Sequence, residues 1–135
     1  MKIFLTAVTG LFLILHGLVH LLYFAQSRKF FELRPNLAWP DGAWGLSQLL
    51  GNEATRRLAG IALIVTAAGF VVGALGLFIQ QAWWRPAVIG SAGLSTLIYL
   101  LCWDGTFQRL PDQGAIGILI NAAIVAAVLT VGQAA

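Results

Sequence analysis

LILHGLVHLLYF, residues Leu13–Phe24, places two histidines four positions apart inside an otherwise apolar run. How that run is read decides the fold. Counted outward, the apolar stretch continues from about Ile3 to Phe24, roughly 22 residues, enough for a helix across a hydrocarbon core about 30 Å thick. Three more runs of similar length follow, from about Leu58 to Ile79, Pro86 to Trp103 and Ala115 to Gly132. The chain is 135 residues long, 59% hydrophobic and only 10% charged. An ordinary soluble domain carries about 25% charged residues, so the deficit points to a membrane protein. The expected fold is an all-α integral membrane protein, a single domain of four transmembrane helices.

The net charge of +3 comes from eight basic and five acidic residues, too few to form a basic face for nucleic acid. Cys102 is the one cysteine, so no internal disulfide is expected. The first run is too long for a signal-peptide core and lacks a suitable cleavage site, so it is read as a mature span. Pro86 suits a first helical turn after interfacial Trp83, Trp84 and Arg85, and Trp103 followed by Asp104-Gly105 marks the end of the third run.

Residues 26–57 form the long first loop. Phe30, Phe31 and Leu33 alternate with charged residues, and Trp39 and Trp44 bracket a Pro-Asp-Gly turn. LSQLL suits a short helix ending at Gly51, and Asn52 suits a cap for the second span. This composition predicts an amphipathic loop lying along the membrane surface, aromatic side down. Arg28, Lys29, Arg34, Arg56, Arg57 and Arg109 fall in loops one and three, against Lys2 and Arg85 on the other side. The positive-inside rule then puts loops one and three in the cytoplasm and both termini outside, in a multi-pass membrane protein.

Thr6, Thr9, Leu13, His16, His20 and Tyr23 recur at spacings of three and four, on one stripe of the first helix. Intramembrane ionisable groups face the bundle or a wet cavity, because lipid offers them no partner. Counted from the loop-one end, His20 and Tyr99 lie roughly 7 Å deep; His16, Thr66, Ser95 and Asn121 lie roughly 12–13 Å deep. These six residues are the candidate polar, ligand-binding pocket, opening toward loops one and three. The plainer alternative is interhelical hydrogen bonding, worth about 0.6 kcal/mol per bond. Gly69, Gly73 and Gly76 give the second span a small-residue face for close helix packing. Arg56 and Arg57 lie at a helix start, where the dipole disfavours cations; the expected partner is Asp104, with a lipid phosphate next.

No catalytic residue or metal site is expected, and no cofactor. Two histidines on one helix face cannot both ligate one haem axially, which leaves haem through a single histidine, or quinone, as the cofactor classes to test. Zinc would need a third ligand, and Cys102 is too shallow to meet His16.

HGLVHLL, ATRRLAG, GFVVG, WWRP, CWDG and GILIN together make the chain resemble small four-span bacterial membrane proteins with HGLxHL in the first helix. Such proteins are loosely labelled ABC transporter permeases or DoxX-like. The first label implies an ATPase partner; the second implies quinone-linked electron transfer. Three functions follow: a non-enzymatic accessory or small-ligand-binding protein, a redox or quinone-associated subunit, and a small transporter component. The expected partners are the lipid bilayer and either a larger membrane complex or a second copy through the glycine face.

Overall fold

The computed structural model describes residues 1–133, and among them the secondary structure is entirely helical. Helix α1 spans Lys2–Ser27, α2 Leu46–Phe78, α3 Trp84–Leu101 and α4 Ala115–Gln133, with a short 3-10 segment, Phe107–Gln113, before α4. Helices α1 and α2 are long and apolar enough to cross a membrane; the 3-10 segment and α4, bent by 59° between them, supply a third crossing if they act as one span. At 18 residues α3 begins with Trp84, Arg85 and Pro86, which dilute its apolar character.

The burial pattern is inverted relative to a water-soluble bundle. Ile3 is 87% exposed, Ile61 64% and Leu119 71%, while His20, Thr55, Thr66, Ser95 and Asn121 are almost fully buried. Apolar surface on this scale, with polar groups inside, suits an apolar surrounding. The apolar part of the interior falls into two clusters. Leu13, Phe70, Val88, Ile124 and Val128 make one; Leu37, Trp39, Leu63, Ile98 and Tyr99 make the other, nearer loop one.

Helix α2 packs against α1 and α3, and α3 against α4. Gly73 shows why the second contact is close: a β-carbon there would lie 2.6 Å from Val88 Cγ2 and 3.4 Å from the Trp84 carbonyl oxygen. A β-carbon at Gly69 would overlap the Ser91 hydroxyl, and one at Gly76 would press on the Trp83 ring at 2.6 Å.

Loops one and three meet at one end of the bundle. The Trp44 amide donates to the Trp103 carbonyl at 2.7 Å, Arg34 pairs with Asp112 at 3.1 Å, and Arg109 donates to the Asn36 carbonyl at 3.4 Å. The short helix expected over LSQLL is present: α2 starts at Leu46 and breaks at Gly51, whose φ of 78° is cheap for glycine alone. Loop one differs from expectation in two ways. Asn52 does not cap the second piece, because its side-chain oxygen accepts from the Gly42 amide at 3.0 Å. Trp39 does not lie on the membrane surface either; its ring is buried against Tyr23 and Tyr99. The organiser is Gln26, which donates to the Leu37 carbonyl at 2.8 Å and accepts from the Leu33 amide at 2.7 Å, folding loop one back onto the bundle.

Candidate functional site

The stripe on α1 carries His16 and His20 into the bundle, and three other helices meet it there. His16 Nε2 lies 2.8 Å from Asn121 Oδ1 of α4. Asn121 Nδ2 donates to Ser95 Oγ of α3 at 2.9 Å and to Thr96 Oγ1 at 3.2 Å. Ser95 Oγ lies 2.7 Å from His20 Nε2, and His20 Nδ1 lies 2.9 Å from the His16 carbonyl. One set of protons satisfies every contact. A carbonyl only accepts, so His20 carries its proton on Nδ1 and its Nε2 accepts from the Ser95 hydroxyl. Ser95 Oγ then accepts from Asn121, whose amide oxygen accepts from His16 Nε2–H. The result is a closed ring of donors and acceptors, with both imidazoles neutral.

Aromatic rings wall this network. Phe70 of α2 meets His16 edge-on at 4.9 Å and His20 at 5.6 Å. Tyr99 lies 6.0 Å from His20, and Tyr23 and Trp39 pack on Tyr99 at 5.0 and 5.9 Å. The expected opening toward loops one and three is therefore filled by rings. Of the six pocket candidates, His16, His20, Ser95 and Asn121 form the hydrogen-bonded ring and Tyr99 covers it. Thr66 stays outside the hydrogen bonding; it is fully buried on α2 and its hydroxyl has no partner among the described residues.

On the other side of His16 the bundle is open. A groove of about 420 Å³ runs between α1 and α4, lined by Val8, Phe12, Leu13, Ile120, Ile124 and Val128 among others. Phe12 stacks parallel to His16 at 6.0 Å, so its ring stands between the groove and the histidine, which does not itself line it. A second hollow of about 270 Å³, beside Thr6 and Trp84, shares Thr9, Ala127 and Val128 with the groove and extends it toward loop two.

The basic pair is arranged differently from expectation. Arg56 pairs with Asp41 at 3.1 Å and Arg57 with Glu53 one turn earlier, not with Asp104. Asp104 is held in its own turn instead, accepting from the Thr106 hydroxyl and amide at 2.6 and 2.8 Å. Partial burial pushes its carboxyl up, but the Thr106 donors, Gln113 and nearby Arg109 outweigh burial and leave it below the usual value of 3.8. Arg56 lies in α2 and is taken by Asp41 of loop one, while Asp104 is held by Thr106 in its own turn.

Among the described residues no three His, Cys, Asp or Glu side chains converge on a point that could hold a metal. Both Nε2 atoms are engaged, by Asn121 and Ser95. Gln26, Thr96 and Phe70 were not among the sequence candidates. Gln26 was within reach of the pattern, three residues beyond Tyr23 on the stripe that holds both histidines. No protein-family model matches the chain, and no curated protein or solved structure is significantly similar to it.

Proposed function

We propose that this chain is a four-span membrane protein with loops one and three in the cytoplasm, and that it binds a small, mostly apolar ligand without acting as an enzyme. The ligand lies in the groove between α1 and α4, with one hydrogen-bonding group at the His16 end. The observation that carries this reading is an apolar groove of about 420 Å³ whose Phe12 wall stacks on His16 of the buried polar ring. In the tautomer that completes the ring, His16 Nδ1 is an acceptor, and no described residue donates to it. A ligand bearing a hydroxyl or N–H meets that requirement. A quinone offers only acceptors and would have to displace Asn121 from His16 Nε2, so a hydroxyl-bearing ligand is the better fit.

The test is extraction of the full chain with its native lipid annulus, followed by mass spectrometry of the bound small molecules. Ala127→Phe fills the groove where α4 lines it, away from the polar ring. The wild-type chain is expected to retain one defined apolar molecule with a donor group, and the variant to lose it while unfolding at the same temperature. Retention of bulk lipid alone by both proteins would overturn the reading.

A further inference from the structure

A second site lies where α1 ends and the long piece of α2 begins. Ser27, Arg28, Lys29, Glu53, Arg56 and Arg57 line a cleft of about 370 Å³ there. The cleft sits above the point where the two helices cross. A β-carbon at Gly60 would lie 3.4 Å from the Phe24 ring and 3.6 Å from Ser27 Oγ, so α1 and α2 are in contact just below the cleft. Four cations point into the space between them. Only two carboxylates answer: Asp41 pairs with both Lys29 and Arg56, at 3.3 and 3.1 Å, and Glu53 pairs with Arg57. Arg28 has no carboxylate partner among the described residues. The cleft therefore carries an excess of two positive charges at a concave surface, which is the arrangement that recruits an anion.

The surroundings say which anion. Phe30 is 71% exposed beside the cleft on the α1 side, and Leu49 is 82% exposed just before the Gly51 break on the α2 side. Below the cleft, α2 continues with exposed Leu58 and Ile61. A soluble phosphate would have no use for this apolar rim. A phospholipid would, because its phosphate and its acyl chains need the two surfaces in this vertical order.

We propose that this cleft binds the phosphodiester of an anionic phospholipid, with Arg28 and Arg57 as its principal contacts and the exposed Leu58 and Ile61 below it against the acyl chains. Lys29 and Arg56 stay tied to Asp41 and set the rim. The proposal rests on the membrane reading above. It is independent of the groove between α1 and α4, which lies away from this cleft.

The full chain in detergent, titrated with phosphatidylglycerol, phosphatidylcholine or inorganic phosphate and followed by native mass spectrometry and thermal unfolding, tests it. Phosphatidylglycerol is expected to bind and raise the unfolding temperature, while the other two are not. Removing each cation near a lipid surface costs about fivefold in affinity, so Arg28→Gln with Arg57→Gln should weaken binding about twenty-five-fold. Glu53→Gln, which frees Arg57, should tighten it, and this opposite sign gives a test if the double variant does not fold. Arg85→Gln, at the other end of the bundle, should change nothing. Equal binding of both lipids, binding of inorganic phosphate in place of lipid, or full retention by the double variant would each overturn the proposal. A chain that stays monodisperse without detergent would defeat the membrane reading itself, which separates that failure from the failure of the cleft.

Discussion

His16 and Asn121, 105 residues apart in sequence, are joined by a 2.8 Å hydrogen bond across the side of the bundle where α1 and α4 leave a groove. That bond does two things at once. It ties the first helix to the last, and it stands beside Phe12 and Ile120, which line the apolar groove. Asn121 is the hub, because its one amide also reaches Ser95 and Thr96.

Asn121→Ala removes three side-chain hydrogen bonds together. At an average of about 0.6 kcal/mol each, the loss should approach 2 kcal/mol of bundle stability. His20→Asn, which interrupts the ring only at Ser95, should cost about 1 kcal/mol. Reversible unfolding in mild detergent measures both; an Asn121→Ala chain as stable as the wild type would mean that the ring carries no net stability.

Gly73→Leu should be poorly tolerated. The site is occupied by Val88 and the Trp84 carbonyl, so a larger side chain must push α3 away from α2, at a cost of about 1–3 kcal/mol. Gly90→Leu, on α3 where a β-carbon meets open space, is the control and should have little effect. Equal unfolding temperatures for the two variants would show that the α2–α3 contact is looser than described.

Arg56 should couple to Asp41. The pair is 24% and 16% exposed, so solvent screening is incomplete, and a double-mutant cycle should return about 0.5–1 kcal/mol. The same cycle between Arg56 and Asp104 should return nothing beyond error. Reversal of these two results would move the salt bridge to the other loop.

Asp104 predicts a pH dependence of definite sign. Its carboxyl titrates below the usual 3.8 in the folded chain, so its contribution is fully present above that value and fades as pH falls through the lower folded value. The unfolding temperatures of wild type and Asp104→Asn should differ by a constant amount above pH 4. The difference should shrink below that. A difference that widened on acidification would assign the carboxyl the wrong partners.

Much of this was legible in residue order, for reasons that are physical. The stripe through Leu13, His16 and His20 follows from helical geometry and from the lack of partners in lipid, and it predicts which face of α1 is buried. Depth counting puts His16, Thr66, Ser95 and Asn121 at one level, yet only His16 and Asn121 pair there; Ser95 meets His20, which the count places nearer loop one, because a side chain reaches a full turn along its helix. Partner choice was not legible. Arg56 finds Asp41 only because Gln26 folds loop one back over the bundle, a contact that no local spacing encodes. Trp39 looks like an interfacial anchor by composition, yet the gap beside Tyr23 and Tyr99 takes its ring. The 3-10 segment before α4 contains Pro111, which reads as a loop residue from sequence alone.

The ligand proposed for the groove and the lipid proposed for the basic cleft rest on the proposal that the chain crosses the membrane four times with loops one and three on the cytoplasmic side. Single-cysteine labelling in intact cells, in a Cys102→Ser background, tests this most directly. Gln81→Cys in loop two should react with an impermeant maleimide from outside, and Pro35→Cys in loop one should react only after the cells are opened. Labelling of both positions from the same side, or of position 35 alone in intact cells, would contradict the account.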